Sequence, residues 1–168
     1  MAVSLSQKVT PEHVACWQFS SQIYAQPGVA DQLLAAQARY QIWVNDWLFA
    51  LWQAQHQRTV RPTFYRQLQQ HQRWRQQVIL PWRTQRQQAK KAACAGYRTL
   101  LSSELALEWC DQMTLALRAR QLTEPTPLTA PSACLDQSIQ RISAATPNAA
   151  ERLQPILMQA LARVTETA

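Results

Sequence analysis

The chain has 168 residues, only two glycines and a formal net charge of +7. That is one domain's worth of sequence, and so few turn glycines beside abundant Ala, Leu, Gln and Arg exclude a sheet-built fold. The charge is uneven. From Trp47 to Ser103 there is no acidic residue, while Arg58, Arg61, Arg66, Arg73, Arg75, Arg83, Arg86, Lys90, Lys91 and Arg98 all fall in that stretch.

The first helix is announced by Thr10-Pro11-Glu12, which places a hydroxyl at the N-cap, proline at N1 and an acid in the first turn. Ala15, Phe19 and Ile23 recur at four-residue steps, and Pro27-Gly28 stops the helix. A second helix is predicted from about Val29 to Tyr40, with Leu33, Leu34 and Ala38 facing in. Asn45 reads as the N-cap of a third, with Asp46 adding favourable charge, and Leu48, Leu51 and Trp52 belong at the centre of a core.

Arg61-Pro62 opens a basic, Gln-rich helix whose inner stripe is Phe64, Leu68, Trp74, Val78 and Trp82. Pro81 must kink that helix or divide it, because it has no backbone N–H to donate. From about Tyr97 to Leu122, Leu101, Leu105, Trp109, Met113 and Leu117 step by four along one ridge. Leu48, Leu51, Trp52, Leu101, Leu105 and Trp109 are therefore expected to form one buried cluster. Pro125, Pro127 and Pro131 prevent the helix from continuing, and two further helices, near 134–144 and 149–164, the last interrupted by Pro155, complete the chain.

The pattern predicts an all-α, single-domain bundle of about five to seven helices, its basic helix kinked or broken near Pro81. Residues 1–122 form the helical core domain, and 123–168 a Pro-rich linker with C-terminal helices packed on or appended to it. Cys16, Cys94, Cys110 and Cys134 form no CxxC pair and read as small apolar core residues. Met1 to Gln7 lacks an apolar signal region, and no apolar run reaches the ~20 residues of a membrane span. These features lead to the expectation of a cytoplasmic protein without a membrane span.

Several clusters, taken in order, carry a resemblance. They are Tyr24-Ala25-Gln26-Pro27-Gly28-Val29, then Val44-Asn45 leading to Leu48-Phe49-Ala50-Leu51-Trp52. Trp74, Val78, Pro81, Arg83, Arg86 and Lys90 follow, then Tyr97, Leu100, Glu104 and Leu105. The set resembles a family of small uncharacterised helical proteins of gammaproteobacteria, known only as a domain of unknown function, and it covers roughly residues 13–115. One departure is Tyr40-Gln41-Ile42, where the family pattern has a glycine ending the second helix. The resemblance implies a helical cytoplasmic protein and supplies no reaction, ligand or catalytic residue.

Two constellations stand out. Arg83, Arg86 and Lys90 lie at i, i+3 and i+7 on one helix, and Glu104, Glu108 and Asp111 at i, i+4 and i+7 on the next. Antiparallel packing across the turn near Gly96 sets a basic stripe against an acidic one. This is either an interhelical ion-pair ladder or a polar pocket for an anionic ligand or acid-base chemistry. Arg58, Arg61, Arg66, Arg73 and Arg75, with Tyr65, His71 and Trp74 among them, form a candidate basic surface, either a nucleic-acid footprint or a solvated face. His13, in a first turn, reads as exposed; His71 lies beside the register of Leu68 and Trp74. No spacing suits a metal, and no phosphate loop, dinucleotide fingerprint or nucleophile elbow occurs.

The function most in keeping with these features is a non-enzymatic protein that binds an acidic protein partner. A nucleic-acid-binding protein using the basic face of residues 58–98 is the alternative. The second alternative is an enzyme or small-anion binder at Arg83, Arg86 and Lys90 with Glu104 and Glu108. No cofactor, metal or catalytic residue is assigned.

Overall fold

The computed structural model describes residues 11–127, 130–144 and 146–166. The helices are α1 (Pro11–Tyr24), α2 (Val29–Tyr40), α3 (Val44–Gln55), α4 (Phe64–Gln67), α5 (Gln69–Trp74), α6 (Leu80–Lys91), α7 (Tyr97–Leu117), α8 (Ala119–Leu122), α9 (Pro131–Ile142) and α10 (Pro147–Glu166). Two short strands, β1 (Arg58–Val60) and β2 (Thr123–Pro125), interrupt them. Seven of these helices have twelve residues or more, so the fold is an all-α bundle.

The bundle is built around α3. Asn45 to Ala54 are all buried, as expected of a helix that is apolar nearly all round. It packs against α1, α7, α9 and β1. Cys16, Phe19 and Ile23 of α1, Val29 and Leu33 of α2, and Leu153, Leu157 and Leu161 of α10 belong to the same buried cluster. The C-terminal helices are thus packed on the core. The Thr10 cap proposed for α1 lies outside the described residues.

Local chemistry explains the joints. Gly28 (φ 78°) precedes α2 in the left-handed region, which glycine enters without strain. At the other end of α2, Gln41 takes the same conformation (φ 55°), and its N–H closes onto the Gln37 carbonyl. Leu34 and Ala38, expected inside, are exposed; Val29, Leu33 and Ala36 are the buried face. Asn45 is not the cap of α3. Trp43 occupies that position, which leaves Asn45 and Asp46 inside the first turn and buried.

The basic helix is divided. Between α5 and α6, Arg75 to Ile79 form one π-helical turn, closed by the Leu80 N–H on the Arg75 carbonyl. Pro81 follows in the first turn of α6. The wider turn removes the need for the bond that proline cannot donate, and it rolls Arg75 into the core. Upstream, helix begins at Phe64 rather than at Arg61-Pro62, and a short strand precedes it. Thr59 pairs with Glu124 and Val60 with Thr123, and this short ladder ties the proline-rich linker to the core. Pro155 does not interrupt α10, which runs through it with the proline on the exposed side of the helix.

The largest departure from expectation is the face of α7. Leu105 is 52 % and Leu117 41 % exposed, and Leu101, Trp109 and Met113 are half-buried. Glu104, Asp111, Gln112, Leu115 and Ala116 face in instead. Leu48, Leu51 and Trp52 are core residues, but the α7 ridge does not join them. Polar pairing, rather than apolar periodicity, sets the rotation of this helix.

Candidate functional site

The inward side of α7 meets a buried polar centre. Arg75 is fully buried, and so are Asp46 and Asp111. Arg75 Nη2 donates to Asp46 Oδ1 at 2.6 Å and Nε to Asp111 Oδ1 at 2.7 Å. His71, one turn before Arg75 and on the same face, donates from Nε2 to Asp111 Oδ1 at 2.5 Å. A guanidinium taken from water needs such partners, since an unpaired buried charge costs several kcal/mol, or about 3–5 when one partner is removed. The Trp43 ring adds a third contact, its centroid 5.1 Å from the Arg75 guanidinium and 5.5 Å from that of Arg83.

The two carboxyls titrate in opposite directions. Burial opposes ionisation of Asp111, but Arg75 and the hydrogen bonds from His71 and Arg75 outweigh it and hold the carboxyl at about 2. Asp46 is raised above the ordinary carboxylate value: burial dominates, and Arg75 offsets only part of it.

Asn45 joins this centre to the surface. Its Nδ2 donates to Asp111 Oδ2 at 2.8 Å and to Glu108 Oε2 at 2.7 Å. Beyond it lie the ladder residues. Arg83 Nε donates to Glu104 Oε1 at 3.2 Å and its Nη2 to Glu108 Oε1, while Arg86 Nε donates to Glu104 Oε2. Lys90 is exposed and takes no part among the described residues. Burial raises the Glu108 carboxyl, and Arg83 counters that rise only in part. Arg86 is raised by its hydrogen bond to Glu104.

These charges form one wall of a cleft of about 510 Å³ between α1, the end of α2, the start of α3, α6 and α7. Trp17, Tyr24, Leu34, Val44, Leu48, Leu101 and Leu105 supply apolar lining, and Ser20, Gln37, Asn45 and Gln112 add uncharged polar groups. The volume falls in the range of sites that hold small molecules or short chain segments. Leu34 and Leu105, at 46 % and 52 %, are the most exposed large apolar residues among those described, and both line this cleft.

The candidate basic surface is not one surface. Arg75 is internal. Arg58 donates to Thr123, and Arg61 is paired with Glu124 at 3.4 Å. Arg66 and Arg73 remain exposed near the start of the α5–α6 rod, whereas exposed Lys90 and Lys91 lie at its far end, about 26 Å from Arg73 at 1.5 Å per residue. His13 is buried rather than exposed, and Cys94 and Cys110 are exposed rather than core residues. Among the described residues no group of His, Cys, Asp and Glu could hold a metal ion. None of the described helices is long and apolar enough to cross a membrane.

The spacing of Arg83 and Arg86 against Glu104 and Glu108 marked one wall in advance. Asp46, Asn45 and Trp43 entered no candidate site in the sequence, and His71 entered only among the basic-surface residues, although two signals were present. His71 and Arg75 are four residues apart, on one helical face. Asp46 is a solitary acid set beside the apolar run 47–52, the pattern of a buried, paired carboxylate.

Residues 15–115 match the model of a family described as "Protein of unknown function (DUF2390)". No curated protein and no solved structure matches the chain.

Proposed function

The chain belongs to the DUF2390 family, and from that premise we propose that it is a non-enzymatic binding protein that receives an apolar segment of a partner protein in the α1/α2/α3/α7 cleft. The observation that carries this reading is the placement of Leu34 and Leu105. The two most exposed large apolar residues among those described share one concavity, where covering them would release ordered water. The charged wall argues for binding over catalysis, because its arginines and glutamates are engaged with one another. An acidic partner is compatible with the net charge of +7 and with the exposed Arg66, Arg73, Lys90 and Lys91, which lie outside the cleft lining. Four free cysteines, two of them exposed, support a reducing, cytoplasmic setting.

The reading is tested by affinity capture with the wild type, a Leu34→Glu/Leu105→Glu variant and an Arg66→Gln/Arg73→Gln variant, each checked for native helix content. A specific protein retained by the wild type and the arginine variant, but lost by the leucine variant, is the expected result. Retention by the leucine variant with loss by the arginine variant would move function to the basic residues. Nucleic acid in that captured fraction would favour the nucleic-acid alternative.

A further inference from the structure

A second cluster of arginines lies away from the cleft and lacks the carboxylates that balance Arg83 and Arg86. β1 pairs with β2, α8 runs directly into β2, α4 packs on α8 and α9, and α9 packs on β1. These elements bring Arg58, Arg61, Arg66, Arg118, Arg120 and Arg141 to one corner of the bundle, and none of the six lines the cleft. The last three lie outside the acid-free stretch, so the sequence gave no sign of the grouping. The acids on the same elements are Glu124 and Asp136. Glu124 is shared by Arg61 and Arg141, at 3.4 and 2.8 Å, and Asp136 accepts from Gln140 and Gln154. The corner keeps an excess of positive charge.

Uncharged acceptors orient several of these side chains. Arg58 Nε donates to Thr123 Oγ1 at 2.9 Å, Arg61 Nε to the Thr123 carbonyl at 2.9 Å, and Arg118 Nη2 to the Gln67 carbonyl at 2.7 Å. Such bonds fix a guanidinium's direction without cancelling its charge. Both Nη groups of Arg58, Nη2 of Arg61 and Nη1 of Arg118 make no hydrogen bond among the described residues. Exposed Arg66 and Arg120 make none with their side chains. A planar guanidinium with an open edge takes a phosphate on two donors, and one already held in place loses less freedom in doing so. We propose that this corner, independently of the cleft, binds the sugar–phosphate backbone of a nucleic acid. Arginines carried by several elements suit a row of phosphates better than one anion. Protein interfaces centre on apolar residues, whereas nucleic-acid interfaces are polar and strongly positive. The exposed large apolar residues here, among those described, are Tyr65 on α4 and Leu117 next to Arg118, too few for an apolar centre. Tyr65 bonds the buried Asp46 through its hydroxyl, and its partly exposed ring, beside Arg66, offers a base a stacking surface.

The test titrates labelled dodecanucleotides, single-stranded and duplex, against the full chain over a range of salt, with polyglutamate of matched charge as a competitor. Binding of either oligonucleotide that weakens steeply with salt is the expected result. Arg66→Gln/Arg120→Gln should weaken it at least about tenfold, the scale of hydrogen bonds to charged groups. The same variant should lower the slope of log affinity against log salt by about 1.4 for the single strand or about 1.8 for the duplex. Arg73→Gln/Lys91→Gln removes equal charge elsewhere and should change binding far less. No binding of either oligonucleotide at low salt, or equal weakening by the two variants, would overturn the proposal. Displacement by polyglutamate as effective as that by unlabelled oligonucleotide would overturn nucleic acid in favour of an acidic protein. Should either variant not fold, the competition on the wild type decides the matter.

Discussion

Arg75 and Asp111 meet at 2.7 Å with both side chains completely buried, joining the π turn after α5 to the middle of α7. That single pair explains why α7 turns its carboxylates inward and leaves its leucines at the rim of the cleft. Asp111 also accepts from His71 and Asn45, so the helix is held in this rotation by four donor groups from three elements when the Arg75 Nε and Nη2 bonds are counted separately.

Asp111→Asn should accordingly destabilise the fold by about 3–5 kcal/mol, the cost of leaving a buried guanidinium without its partner. Asp46→Asn should cost less, because burial already displaces the Asp46 carboxyl toward its neutral form. Denaturant melts of the two variants check the order. A larger loss at Asp46 would contradict the assignment of Asp111 as the centre of the network.

Acid titration should show two opposing effects. Asp46 and Glu108 are raised, so the folded state binds their protons first, and stability gains from them as pH falls through their folded values. Asp111 is depressed from 3.8 to about 2. Its contribution is complete above 3.8 and disappears as pH falls through about 2. Thermal melts should therefore collapse mainly in that last window, and Asp111→Asn should flatten the drop. A wild-type melt that declines steadily from neutral pH would oppose this assignment.

Leu105→Ala should change stability by less than about 1 kcal/mol, as for a surface position. Leu51→Ala, in the core, should cost about 2–5 kcal/mol. Comparable losses at the two sites would mean that Leu105 is buried and that the rotation of α7 is wrong.

Gln41→Gly should stabilise the protein by about 0.5–1 kcal/mol, since a non-glycine residue is disfavoured in the left-handed conformation adopted there. An unchanged or lowered melting temperature would show that the end of α2 is not strained.

The bundle was legible in sequence wherever the signal was local. Pro27-Gly28 marks the α1–α2 joint, and Pro81 marks the division of the basic helix. Arg83 and Arg86 find Glu104 and Glu108 across one short turn. The face of α7 was not legible, because its leucines form the more regular stripe and outvote its acids in any periodicity argument. Their burial depends on Arg75, His71 and Asn45, whose sequence separations from Asp111 are 36, 40 and 66 residues. Arg75 looked like one more surface cation for the same reason: the π turn that directs it inward leaves no mark beyond the proline downstream.

The most direct measurement of the account is photo-crosslinking from position 105 in the intact protein in its native cells, with the same reactive side chain at position 73 as the comparison. Leu105 stands on the rim of the cleft and Arg73 on the exposed side of α5. A discrete protein adduct from 105, absent from 73 and suppressed by Leu34→Glu, is the predicted result. An adduct from 73 alone, or none from 105, would contradict the assignment of the cleft as the binding site.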